Sequence, residues 1–200
     1  MDIIIHRVND LLKLSKVSSK YGVEVDVMYD NNKLILKHSP YEQNQNYIEL
    51  EKFLKFYKHK KLILNIKTSG IEEEVIETVK NYTNDFLLLD VEFPFIVKNY
   101  KKFGKNIFLR VSKYESFEHL LDFKNFIEWI WLDTYDNLKF DEDFKDLLKN
   151  FKICLVSIER WFPKYDFEKF SSEIKFLNIP IDAVLTDLNT SKKWEEINLM

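Results

Sequence analysis

Glycine is scarce in this chain: Gly22, Gly70 and Gly104 are the only three in 200 residues. There is therefore no Gly-x-Gly-x-x-Gly loop after the first apolar run and no glycine-rich phosphate cradle, which excludes dinucleotide and P-loop chemistry. Cysteine is scarcer still. Cys154 is single, so no intrachain disulfide can form. It lies in the apolar run 153–156, where a buried, inert thiol is expected and a cytoplasmic location goes with it. No apolar run approaches the ~20 residues that span a bilayer. The opening Met1-Asp2-Ile3-Ile4-Ile5 has the wrong flanks for a signal peptide, so a soluble chain without an integral membrane segment is expected. Clustered basic charge is also missing: the net charge is −3 with signs interspersed, which argues against a nucleic-acid partner. The lysines of 52–61 alternate with Phe53, Leu54, Phe56 and Tyr57 and predict an amphipathic helix with a solvated face. No Pro-, Gly- or Ser-rich stretch divides the sequence and no repeat is visible, so a single domain over 1–200 is expected.

What is present is a composition able to build a core, 46% hydrophobic and 32% charged. Short runs rich in Ile, Leu, Val and Phe alternate with longer stretches of helical periodicity, the pattern of a parallel sheet covered by helices. Strands are expected at 3–6, 23–28, 62–66, 86–90, 107–110, 129–132, 152–156 and 183–185, with a hairpin arm at 33–38 after Asn31-Asn32. Helices are expected at about 9–21, 47–58, 71–82, 94–100, 117–123, 141–150 and 166–177, with Asn9 and Asp141 reading as ordinary caps. Eight strand-helix alternations point to a compact α/β (β/α)₈ TIM barrel, smaller than the usual ~250 residues, so some helices must be short or missing. An open doubly wound sheet is the rival architecture.

In a barrel, chemistry sits at the carboxyl ends of the strands. Here those ends carry His6-Arg7, His38 after the hairpin, Asn65-Ile66-Lys67, Asp90, Arg110, Asp133, Glu159 and Thr186-Asp187. Glu24 and Asp26 are two apart on one strand and share a face. If that face is internal, the two carboxylates repel unless a cation lies between them; if it is external, they are a solvated pair. His6 and His38, each closing an apolar run, are equipped for acid/base chemistry near neutral pH. His59 and His119 sit in charged surroundings and receive no role. Trp129, Trp131, Tyr135 and Trp161 fall near late strand ends, as core packing or as a ligand platform, with Trp131, two residues before Asp133, the preferred pocket candidate.

The ordered set Ile5-His6-Arg7, Gly22-Val23-Glu24-Val25-Asp26-Val27 and Leu34-Ile35-Leu36-Lys37-His38-Ser39-Pro40 resembles the glycerophosphodiester phosphodiesterase superfamily. Fainter likeness continues through Leu62-Ile63-Leu64-Asn65-Ile66-Lys67 and Ala183-Val184-Leu185-Thr186-Asp187. The opening His6-Arg7-Val8-Asn9 also resembles that of sphingomyelinase D enzymes, and both groups are similar in fold to phosphatidylinositol-specific phospholipase C. The resemblance implies His6 and His38 as acid and base, and Glu24, Asp26 and the residue at 65 as ligands of a divalent cation, Mg²⁺ or Ca²⁺. It implies Arg7 and Lys67 as charges facing the phosphate. Asn9, Trp131 and Asp133 are the candidate substrate contacts. The substrate expected is a small-molecule or glycan phosphodiester.

The chain departs from the pattern twice. Asn65 stands where the family carries an acidic ligand, removing one negative charge, so that metal affinity should be lower or another carboxylate, Asp90 or Asp133, should compensate. Val8 stands where the family has glycine. A metal-dependent phosphodiesterase or lyase is thus the expected activity, with a catalytically weak or inactive barrel that binds a phosphorylated ligand as the alternative. Oligomeric state is not legible in the sequence.

Overall fold

A computed structural model describes residues 1–41, 47–134 and 142–197. In chain order the elements are β1 (Asp2–Ile5), α1 (Leu11–Lys16), β2 (Gly22–Asp30), β3 (Lys33–Leu36), α2 (Leu50–Leu54), β4 (Leu62–Ile66), α3 (Glu72–Lys80), β5 (Phe86–Leu89) and α4 (Phe93–Phe103). They continue with β6 (Phe108–Val111), α5 (Leu120–Phe123), β7 (Trp129–Leu132), α6 (Glu142–Leu148), β8 (Lys152–Val156), α7 (Phe167–Leu177), β9 (Ala183–Thr186) and α8 (Ser191–Glu196). Eight of the strands are parallel and run in the order β5-β4-β2-β1-β9-β8-β7-β6; β3 lies outside that ring, antiparallel to β2. A single bridge from Leu88 to Ile107 joins the first and last strands of this order, making a nearly closed α/β barrel rather than an open sheet.

Alternation along each strand divides the apolar residues into two cores, because successive side chains point to opposite faces. Ile3, Ile5, Val23, Val25 and Val27 face outward into the layer between sheet and helices. Ile4, Ile63, Leu87, Phe108, Trp129 and Trp131 belong to a second cluster that fills the lumen. Cys154 lies in that lumen, where burial pushes its thiol far above the usual range and leaves it unreactive.

Several helices are shorter than periodicity suggests, although α4 runs beyond the expected 94–100 and α7 matches its expected range. Asp10 caps α1 by accepting the Lys13 N–H at 2.7 Å, but the helix ends at Lys16, where Val17 turns extended ahead of Ser18-Ser19. The helix expected over 47–58 is only Leu50–Leu54, and the expected amphipathic run through Lys61 does not form. Lys61 is instead nearly buried and pairs with Asp85 at 2.5 Å, because it precedes β4 and must enter the barrel base. The cap expected at Asp141 lies outside the described residues. A terminal helix, α8, was not expected; its six residues carry one large apolar side chain, Trp194, too few for a periodic signal. No helix among the described residues is long and apolar enough to cross a membrane.

Gly22 opens β2 where space is tightest. A Cβ there would lie 2.4 Å from Ile4 Cδ1 and 2.8 Å from the Lys61 carbonyl oxygen. Gly22→Ala is therefore expected to lower stability by about 1–3 kcal/mol, measured by urea denaturation. Wild-type stability in that variant would show that the lumen base is not packed as described.

Candidate active site

The same alternation that fills the lumen with apolar side chains places polar ones at its carboxyl mouth. Two residues beyond Ile4 comes His6; beyond Gly22 come Glu24 and Asp26; beyond Ile63 come Asn65 and Lys67. Arg110 follows Phe108, Asp133 follows Trp131 and Asp187 follows Leu185. The Glu-x-Asp pair therefore faces inward, and each of its residues is only 1% exposed.

The chain after β1 is folded around these two carboxylates. Arg7 adopts a left-handed conformation (φ 56°), which turns its N–H onto Glu24 Oε2 at 2.7 Å. The Val8 N–H donates to the Glu24 carbonyl at 2.7 Å. The positive φ falls on Arg7, so Val8 fits without a glycine and is buried in the outer core. Asn9 forms a closed pair with Asp26: its Nδ2 donates to Oδ2 at 2.8 Å and its Oδ1 accepts the Asp26 N–H at 2.9 Å. Asn9 thus positions an acidic residue. Lys13 ties the turn down, its ammonium donating to the carbonyls of His6 at 2.8 Å and Arg7 at 2.9 Å. Burial lowers its pKa.

Burial, and then the neighbouring Asp26, raise the pKa of Glu24 above the ordinary carboxylate value. Asn65 Nδ2 donates to Glu24 Oε1 at 3.1 Å, while the Asn65 Oδ1 is buried without a hydrogen-bond partner. Lys67 Nζ is 3.7 Å from Asp26 Oδ1 and 3.2 Å from Asp90 Oδ2. Arg7 Nε lies 3.6 Å from Asp26 Oδ2.

Asp90 and Asp133 are engaged by one cationic side chain. Arg110 holds both, reaching Asp90 Oδ1 at 2.7 Å and Asp133 Oδ2 at 2.6 Å. Burial raises the Asp133 pKa, and Arg110 opposes the shift. Among the described residues no set of three His, Cys, Asp or Glu converges as a metal cluster. Two carboxylates and one orphaned amide oxygen remain, an oxygen-only set that fits Mg²⁺ or Ca²⁺.

His6 projects next to this group. Its Nδ1 lies 3.4 Å from Asp187 Oδ1, and Arg160 Nη2 approaches its Nε2 at 3.2 Å. The contact with His6, and then Arg160, hold the Asp187 carboxyl down at about 2. His38 comes back to the mouth with the hairpin: Leu36 pairs with Val27, and the Lys37 N–H donates to the Asp26 carbonyl at 3.0 Å. His38 is half-buried at that level.

Trp131 is 4% exposed, with its ring edge-on to Phe108 at 5.5 Å. It belongs to the lumen packing below the mouth, and Trp129 lies in the same cluster. Trp161 is part-exposed, and Tyr135 lies outside the described residues. Two contacts at the mouth escaped the sequence reading. Asp187 stood among the polar strand ends with no function attached. Arg160 gave no signal, because it sits on a 3₁₀ turn (Ile158–Arg160) where strand alternation has ended.

No protein-family model and no curated protein matches this sequence. Solved structures do. A glycerophosphodiester phosphodiesterase from Agrobacterium tumefaciens is similar with a TM-score of 0.61 and 10% identity, over 92% of this chain and 96% of that one. A phosphodiesterase from Oleispira antarctica, in complex with the product sn-glycerol-3-phosphate, is similar with a TM-score of 0.64 and 19% identity, over 96% of this chain and 97% of that one. At these identities the likeness is one of fold: the chain shares, nearly end to end, the barrel on which these phosphodiesterases are built.

Proposed function

We propose that this barrel is a divalent-cation-dependent phosphodiesterase, or phosphodiester lyase, acting on a small glycerophosphodiester-like or glycan-linked substrate. One observation carries the reading: Glu24 and Asp26 are buried together at the barrel mouth beside an orphaned Asn65 oxygen, with His6 next to them. Buried like charges are costly unless something positive joins them. The shared fold with two phosphodiesterases supports the same conclusion.

Glu24, Asp26 and Asn65 would hold the cation, which when bound supplies positive charge for a phosphoryl oxygen. Arg7 and Lys67, already beside Asp26, add charge as the transition state forms. One histidine takes the proton of the attacking water or substrate hydroxyl, and the other protonates the leaving oxygen. With His6→Ala or His38→Ala, cation-dependent turnover of a glycerophosphodiester is expected to fall by about 100- to 10,000-fold in a steady-state assay. Asn65 favours a second reading, a barrel that binds phosphorylated ligands with little turnover. Saturable product binding by a wild-type protein that turns over no diester would decide for it.

Asn65 also provides a test that does not depend on activity. Asn65→Asp has nearly the same shape but adds a third buried carboxylate. Its melting temperature in a chelator should fall below wild type, and Mg²⁺ or Ca²⁺ should raise it by more than they raise that of wild type. Equal responses to the cation would remove residue 65 from the ligand set.

The pH dependence follows from Glu24. Its folded pKa is raised, so below that value the folded protein carries a proton that an incoming cation must displace. Cation affinity is therefore expected to rise with pH through the raised pKa and then level off, as read by calorimetric titration at several pH values. Affinity independent of pH across the carboxylate range and up to neutrality would contradict a role for Glu24 as ligand.

A further inference from the structure

We infer that Arg160 is a phosphate-binding residue of this site, and that its present contact with His6 is a resting partner it exchanges for a phosphate oxygen. The inference rests on the proposed phosphodiester chemistry and adds to it a residue from a different part of the barrel.

A guanidinium group has donors only. For Arg160 Nη2 to hydrogen-bond His6 Nε2 at 3.2 Å, that nitrogen must present its lone pair. The ring proton is then on Nδ1, which faces Asp187 Oδ1 at 3.4 Å. Arg160 Nη1 meanwhile donates to the other oxygen of the same carboxylate, Asp187 Oδ2, at 2.8 Å. The three side chains close a triangle in which Arg160 spends one of its arms on a neutral imidazole. A charged phosphate oxygen is a stronger acceptor, since charge-assisted hydrogen bonds are roughly twice as strong as neutral ones. Moving that one arm onto a phosphate keeps the Asp187 pair intact and frees the Nε2 lone pair of His6.

The strand order puts Arg160 where such an exchange is useful. Neighbouring strands run β4-β2-β1-β9-β8, so His6 at the end of β1 lies between the carboxylates of β2 and the turn that follows β8. A phosphate held from both sides lies over His6. The base of the turn is also fixed. Glu159 accepts from Thr186 Oγ1 at 2.5 Å and Thr190 Oγ1 at 2.9 Å and from the Ser157 hydroxyl, which itself accepts from buried Trp194 Nε1 at 2.8 Å. The Arg160 side chain remains 23% exposed above this anchored backbone. A rigid base with a reachable head lowers the ordering cost of binding.

The test measures binding of inorganic phosphate and of sn-glycerol-3-phosphate by calorimetry in the presence of Mg²⁺, for wild type, Arg160→Gln and Arg160→Lys. Loss of one charge-assisted contact is expected to weaken both ligands by about 10- to 100-fold in Arg160→Gln, with Arg160→Lys in between. Nitrogen-15 NMR of the histidine rings supplies a readout that a purely structural role would not move. In wild type, added phosphate should shift the His6 Nε2 resonance toward that of ligand-free Arg160→Gln, whose Nε2 has already lost its arginine partner. If wild type binds phosphate while Arg160→Gln binds it equally well, or if the Nε2 resonance does not move, this inference fails and the proposed function stands. If wild type binds neither ligand, both fail.

Discussion

The structure around the barrel mouth is organised by one constraint: Glu24 and Asp26, two residues apart on β2, are buried on the same inward face. Two carboxylates taken out of water must be compensated by hydrogen bonds, by opposite charge or by a proton. The first two compensations are visible, and the upward shift of the Glu24 pKa points toward the third. Arg7 bends into a left-handed conformation so that its N–H can reach Glu24, and Asn9 closes two hydrogen bonds with Asp26. Arg7 and Lys67 bring positive charge to Asp26, and the raised pKa of Glu24 shows that hydrogen bonding and charge together do not fully offset its burial. The local shape of the β1–α1 connection is thus a consequence of the acidic pair.

That logic extends around the mouth. Lys67 links Asp26 to Asp90, and Arg110 links Asp90 to Asp133; on the other side of His6, Arg160 pairs with Asp187. Acidic groups outnumber basic ones around this mouth: Arg7, Lys13, Lys67, Arg110 and Arg160 meet Glu24, Asp26, Asp90, Glu115, Asp133, Glu159 and Asp187. A phosphodiester is itself an anion, and at ~4 Å like charges repel by about 4 kcal/mol at the effective dielectric of a protein surface. A divalent cation held by Glu24 and Asp26, as proposed, would offset that acidic excess. The electrostatics that make the acidic pair expensive are thus the ones that would favour a cation.

Much of this was legible because strand alternation is a strong signal. The spacing of Glu24 and Asp26 among Val23, Val25 and Val27 placed the acids on one face and the valines on the other, and the barrel turns the valines toward the helices. Seven of the eight barrel strands were expected to within one residue at each end on the same grounds, and the eighth, β2, runs two residues further into the hairpin than its apolar run implied. Helix lengths were less legible. In α2 and α5, tertiary packing keeps only the turns whose apolar residues reach the sheet, while periodicity alone predicted longer elements. Arg160 lay beyond reach for another reason: its contact with His6 joins residues 154 positions apart through a 3₁₀ turn, where no period indicates direction. Trp131 stands out in the sequence as a pocket candidate because it lies two residues before Asp133, but spacing carries no depth, and a residue two positions below the polar layer packs the lumen.

Asn65 is then best understood through the state without a cation. A carboxylate at that position would place a third negative charge beside a pair that already shifts the pKa of Glu24 upward. The amide instead donates a hydrogen bond to Glu24, relieving part of the cost that burial imposes. The exchange leaves one buried amide oxygen without a partner, a penalty of about 1–3 kcal/mol, and subtracts one charge from the set available to a cation. Asparagine thus moves the site toward stability without a cation, and on the proposed reading would weaken its hold on one. Sites shaped by function generally sit on the other side of that balance, keeping strain that ligand binding relieves. On this chain the strain is reduced without being abolished, because the acidic pair stays buried and the Asn65 oxygen stays without a hydrogen-bond partner.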